Sequence, residues 1–168
     1  MDWVLFAVQW LHVILAILWF GSVLYSDFVL IPALNTLPLP TQRQVGAAIG
    51  ARANRIIPPV AGAVILFGII RGTVLGQVQS LEALTTPYGI TWLVSLVLAI
   101  GTFMYGLRVI KPSLDRLGSI PDSEALNPDG SASATLTALI AAVKRHVLLE
   151  LGLFLAIFTG MILMRFGL

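Results

Sequence analysis

The stretch WVLFAVQWLHVILAILWFGSVLYSDFVLIPA, residues 3–33, contains a single charged side chain, Asp27. A helix needs about 20 apolar residues to cross the hydrocarbon of a bilayer, and this stretch exceeds that length. It is too long for a secretory leader and lacks the small-residue cleavage pattern of one, so it reads as a retained membrane helix. The rest of the 168-residue chain has the same character, with 58% hydrophobic and 11% charged residues and a mean hydropathy of +0.95. Soluble domains carry roughly 25% charged residues, so a soluble globular protein is excluded on composition. There is no cysteine, which removes disulfides, thiolate zinc sites and cysteine-ligated iron–sulfur clusters. The net charge is only +2 and the ten Lys and Arg residues are spread along the loops, so nucleic acid is not an expected partner.

Three further apolar stretches run from Ile56 to about Leu75, from about Tyr88 to Ile110, and from Val147 to Phe166. The last reads as the tail of a helix that begins near Ser131, after the turn-forming Asn127-Pro128-Asp129-Gly130. Pro58 and Pro59 are expected in the first turn of the second helix, where a missing N–H leaves nothing unpaired. Lipid cannot hydrogen-bond a bare backbone, so the spans must be helical, and short connections favour antiparallel neighbours. The expected architecture is all-α: one transmembrane domain over 1–168, an antiparallel four-helix bundle with spans of about 3–33, 56–75, 88–110 and 147–166.

Arg43, Arg52 and Arg55 mark the first loop and Arg108, Lys111, Arg116, Lys144 and Arg145 the third, while the second (Gln77 to Pro87) has no Lys or Arg. The positive-inside rule makes loops one and three cytoplasmic and puts both termini outside, in the cell membrane. Residues 111–133, polar and rich in Pro, Gly and Ser, read as a partly mobile cytoplasmic linker. No internal repeat is discernible.

Function in such a bundle is sought among polar residues of the spans, which are costly in hydrocarbon. They are His12 and Asp27, Arg71, Thr91, Ser95, Thr102 and Tyr105, and His146 and Glu150. At 100° per residue His12, Trp19 and Val23 share one face of the first helix, and Thr91, Ser95, Thr102 and Tyr105 one face of the third. Gly68, Gly72 and Gly76, four residues apart, read as a packing face. His12 is either an interhelical hydrogen-bonder or a metal ligand, imidazole being the usual axial ligand of haem iron. Arg71 falls at a similar depth and either binds a haem propionate or snorkels to the headgroups. Met161 and Met164 lie in the same outer half.

His146 lies in the inner half, on the order of 20 Å from His12 along the membrane normal, too far for the two to share one iron. His146 and Glu150, one turn apart, are candidates for a second metal or proton site. The adjoining Lys144 and Arg145 favour reading them as an interfacial histidine and a carboxylate paired with Arg108 or Arg145. Tyr25, Asp27, Tyr105, Arg108, His146 and Glu150 are expected at similar depths on three helices.

His12-Val-Ile-Leu-Ala-Ile-Leu-Trp19-Phe20-Gly21-Ser-Val-Leu-Tyr25 resembles the first-helix signature of the HemJ-type protoporphyrinogen oxidases. Arg52-Ala-Asn-Arg55-Ile-Ile-Pro58 looks like the basic start of that family's second helix. Thr85-Thr-Pro87-Tyr88-Gly89 is similar instead to the copper-resistance D-type membrane proteins, a related group. The likeness spans most of the first three helices, and the motif at His12 is the most specific. It implies a haem b held by the residue at His12. Both families place a lysine early in the third helix, where this chain reads Tyr88-Gly-Ile-Thr91-Trp92-Leu-Val-Ser95, and Ser26-Asp27 stands where the HemJ-type helix has Pro-Arg. The resemblance therefore implies the scaffold and the haem, and leaves the oxidase activity unassigned.

The resulting expectation is a membrane haem b protein, a redox or electron-transfer centre with a redox partner or small-molecule substrate not specified by the sequence. His12 is the axial ligand, Met161, Met164 or an open position stands opposite, and Trp19 and Arg71 contribute to the pocket. The alternatives are a copper-handling membrane protein or transporter using His12, Met161 and Met164, thioether and imidazole being suited to copper, and a cofactor-free structural subunit of a larger complex. Exposed glycine faces are compatible with a homodimer or trimer.

Overall fold

The computed structural model describes residues 2–167, the Asp122 side chain excepted. Four helices are long and apolar enough to cross a membrane: α1 (Trp3–Leu34), α2 (Leu39–Gly72), α3 (Pro87–Ser119) and α4 (Ala134–Arg165). They form an all-α four-helix bundle, and the chain is a multi-pass membrane protein. Its surface is inside-out by soluble standards, with Trp3, Ile17, Leu66, Val97 and Leu148 all exposed. Each helix is 32 to 34 residues long, about 50 Å at 1.5 Å per residue, whereas the hydrocarbon is only about 30 Å thick. The helices therefore project well beyond a bilayer. The excess gathers at the end marked by Arg52, Arg55, Arg108, Lys144 and Arg145, here called the basic end; the opposite end carries both termini.

Local chemistry sets the helix starts. Asp2 caps α1 by accepting from the N–H groups of Val4 and Leu5, Thr86 caps α3 through Gly89 with Pro87 in the first turn, and Ser133 caps α4 through Leu136. α4 thus begins at Ala134, slightly later than the sequence suggests. α2 departs further from expectation: it starts at Leu39 instead of near Ile56 and ends at Gly72. Pro58 and Pro59 lie in mid-helix as a result. A helical proline deprives the carbonyl four residues back of its donor. Here those carbonyls belong to Asn54 and Arg55, both exposed at the basic end, where water can satisfy them.

The expected linker is also ordered. Helix α3 continues through Lys111 to Ser119, a short helix covers Asp122–Ala125, and Leu126 bridges to Ala132. Ile120, Ala125 and Leu136 are buried there with Leu39 and Leu117 against them, a second small core outside the apolar spans. The Arg43 guanidinium donates to the Ile120 carbonyl and ties α2 to this cap. Gly130 adopts a left-handed φ of 81° at the turn. Beside it the Ser131 hydroxyl and N–H hold the Asp129 carboxyl below the usual carboxylate range.

Packing divides the bundle into two hairpins, α1 on α2 and α3 on α4, joined mainly along α2 and α3. At its centre Trp19, Ala61, Val64 and Phe154 are buried together. Trp19 stands edge-on to Phe154 at 4.9 Å and to Phe103 at 6.4 Å between ring centroids.

Both α1 and α3 widen into one π turn, over Ser26–Leu30 and Gly106–Ile110, just before Pro32 and Pro112. Aligning the turns reveals a repeat that hydropathy does not disclose. At a constant offset of 80, GSVLYSDFVLIPAL (21–34) matches GTFMYGLRVIKPSL (101–114), sharing Gly21/Gly101, Tyr25/Tyr105, Val29/Val109, Pro32/Pro112 and Leu34/Leu114. The expectation of no internal repeat is thereby corrected. Periodic apolar composition hides such a match because most positions in any membrane helix are interchangeable aliphatics.

Candidate functional site

His12 lies on the face of α1 that meets α2. Its Nδ1 is 2.9 Å from the Val64 carbonyl oxygen. A carbonyl only accepts, so the ring proton is on Nδ1 and the lone pair is on Nε2. Gly68, one turn along α2, makes the approach possible: a Cβ there would stand 3.1 Å from His12 Cε1. Trp92 of α3 closes on the same face of α2, where its indole occupies the space a Cβ on Gly72 would need. The Trp92 Nε1–H also points at the Gly68 carbonyl at 3.5 Å. The glycine face expected from sequence is thus a packing face, filled by an imidazole from one hairpin and an indole from the other.

Arg71 sits one turn from Gly68, and its Nε donates to Gln9 Oε1 at 3.0 Å. Its charge is near enough to act on the His12 ring. Gln9 is itself one turn from His12 on α1, a partner that sequence reasoning did not single out because an exposed glutamine near a helix start is unremarkable. Met161 and Met164 are half-buried on α4. Phe154 and Phe158 of α4 pack on Phe20 of α1. The two methionines therefore lie toward the termini from that contact, as His12 does. Trp19 belongs to the central core, two turns from His12, with both ring edges engaged by phenylalanines.

A second polar group lies at the basic end. Tyr105 Oη and His146 Nδ1 are 2.6 Å apart, joining α3 to α4. The Glu150 carboxyl, one turn on, lies against Gly106, where a Cβ would be 3.5 Å from Oε1. Glu150 and Asp27 are electrostatic neighbours, and Asp27 Oδ2 is buried with no hydrogen-bond partner. The expected pairing of Glu150 with Arg108 or Arg145 is not found among the described residues; both arginines are exposed. The Gly106 backbone leaves room for the carboxyl to fold inward, whereas the cations extend toward water. Tyr25 is exposed and stands apart from this group.

No cluster of three or more His, Asp or Glu side chains able to hold a metal occurs among the described residues. A haem brings its own ring nitrogens and needs few ligands from the chain. The residues around His12 fit such a group in one respect: a backbone-anchored imidazole with a free Nε2 beside a guanidinium is the donor set a haem with carboxylate arms requires. No protein-family model, curated protein or solved structure matches the chain.

Proposed function

We propose that this chain is a membrane haem b protein of the cell membrane, with both termini outside and His12 Nε2 as the axial ligand. The observation that carries the reading is the hydrogen bond from His12 Nδ1 to the Val64 carbonyl. It fixes the tautomer and the ring plane, as the outer partner of a ligating histidine does. Arg71, held by Gln9, is placed to receive a propionate through charge-assisted hydrogen bonds. Met161 and Met164 of α4 are the thioethers that could serve as a further ligand if the group were bound. When bound, haem supplies one-electron redox chemistry. The chain's own residues anchor and orient it, exclude water with the surrounding apolar side chains, and set its potential through ligand choice and the Arg71 charge.

The test is the spectrum of the purified protein. The wild type is expected to be red with a Soret band and one haem per chain, and His12→Ala to lose the pigment while remaining folded. Full haem occupancy with an unchanged spectrum in His12→Ala overturns the assignment, as does a colourless wild type that carries copper or no metal.

A further inference from the structure

The basic half of the bundle carries a polar group that the haem reading does not use. Asp27 projects from the π turn of α1, and Glu150 lies against Gly106, the first residue of the π turn of α3. π turns are frequent where a helix positions a functional side chain. The two carboxyls sense each other's charge, and among the described residues neither is ion-paired. The cations of the neighbouring elements, Arg52 and Arg55 of α2, Arg108 of α3 and Lys144 and Arg145 of α4, are all exposed.

Two orphan atoms accompany the pair. Asp27 Oδ2 has no partner, and neither has the hydroxyl of Thr102, a residue 0% exposed one turn from Gly106 on α3. Carboxylates without a hydrogen-bond partner are not held at membrane depth without a counter-charge. A carboxylate can only accept hydrogen bonds, whereas a protonated carboxyl also donates one. The geometry therefore calls for a proton where no cation reaches. Next to the pair, Tyr105 and His146 form a 2.6 Å hydrogen bond between groups that each donate and accept, with His146 one turn nearer the basic end than Glu150.

We infer that the carboxyls of Asp27 and Glu150 form one proton-binding site within the bundle, and that the Tyr105–His146 pair connects it to the basic face. The inference does not depend on haem. A proton entering from that face passes along the imidazole and phenol, each giving up one proton as it takes another, and comes to rest between the carboxyls. Two carboxyls sharing a site titrate as a pair, so each must report the removal of the other.

The experiment is infrared spectroscopy of the purified full-length protein in lipid nanodiscs, titrated with pH in H2O and D2O. The expected wild-type signal is a carbonyl band of a protonated carboxyl in an apolar setting, shifted in D2O. In Asp27→Asn the midpoint of the remaining Glu150 band moves by about one pH unit or more, and in Glu150→Gln that of Asp27 does the same. Both substitutions preserve shape, and if one variant fails to fold, the midpoint shift in the other decides the matter. Absence of the band at every pH, or midpoints that stay put in both variants, overturns the site. For the connection, Tyr105→Phe slows deuterium exchange of the band by at least about tenfold; an unchanged exchange rate removes the Tyr105–His146 pair from the route.

Discussion

His12 of the first hairpin and Trp92 of the second, 80 residues apart like the two π turns, both rest on the glycine face of α2. In the first half that place holds an imidazole anchored to a backbone carbonyl with one nitrogen left over. In the second it holds an indole whose bulk takes up the room that Gly72 leaves. A few turns on, the pattern reverses. Tyr25 is 58% exposed, whereas its counterpart Tyr105 is half-buried and bonded to His146. Each hairpin thus has one polar side chain bonded across the helices, at His12 and at Tyr105, and the two bonds lie toward opposite ends of the bundle.

Substitutions can break this comparison. Gly72→Ala puts a methyl group into a rigid, wedged indole and is expected to destabilise the bundle by about 1–3 kcal/mol, the usual range for overpacking, measured by reversible unfolding in mixed micelles. Gly68→Ala asks only that the His12 ring give by a few tenths of an ångström and costs less. Equal losses would mean that His12 and Trp92 are packed alike, contrary to the contrast drawn here.

The tyrosines provide a finer test. Tyr105→Phe leaves His146 without its partner and is expected to cost about 0.5–1.5 kcal/mol, whereas Tyr25→Phe stays within about 0.5 kcal/mol of the parent. A Tyr25 effect as large as that of Tyr105 would erase the division of labour between the halves.

The bundle was legible from the apolar stretches because hydropathy records what must lie in lipid. It could not record how far a helix continues beyond lipid: the polar run from Leu39 to Arg55 is helical, and its start is tied to the Ile120–Leu136 cap through Leu39 and Arg43, a contact made by residues remote in sequence. His12 was legible as a question, and the glycine spacing as a packing face. The partner of the His12 ring, the Val64 carbonyl, was not legible, because no side-chain pattern announces which backbone group an imidazole will meet. Tyr105 and His146 were placed at one depth by counting turns, yet their bond depends on the rotation of α3 against α4. The same rotation turned Glu150 inward to Gly106 and Asp27, away from the cations that its neighbours in sequence suggested.

The matched π turns have a consequence of a different kind. Each holds one residue more than a turn of the surrounding α-helix would, so the side chains beyond it are rotated by roughly 100° from where an unbroken helix would put them. The two turns fall at corresponding positions, each followed at the same distance by a proline, so the basic-end segments of α1 and α3 are re-aimed alike. Deleting one residue from either turn would swing everything beyond it, from Pro32 in α1 or from Pro112 in α3, away from its present neighbours.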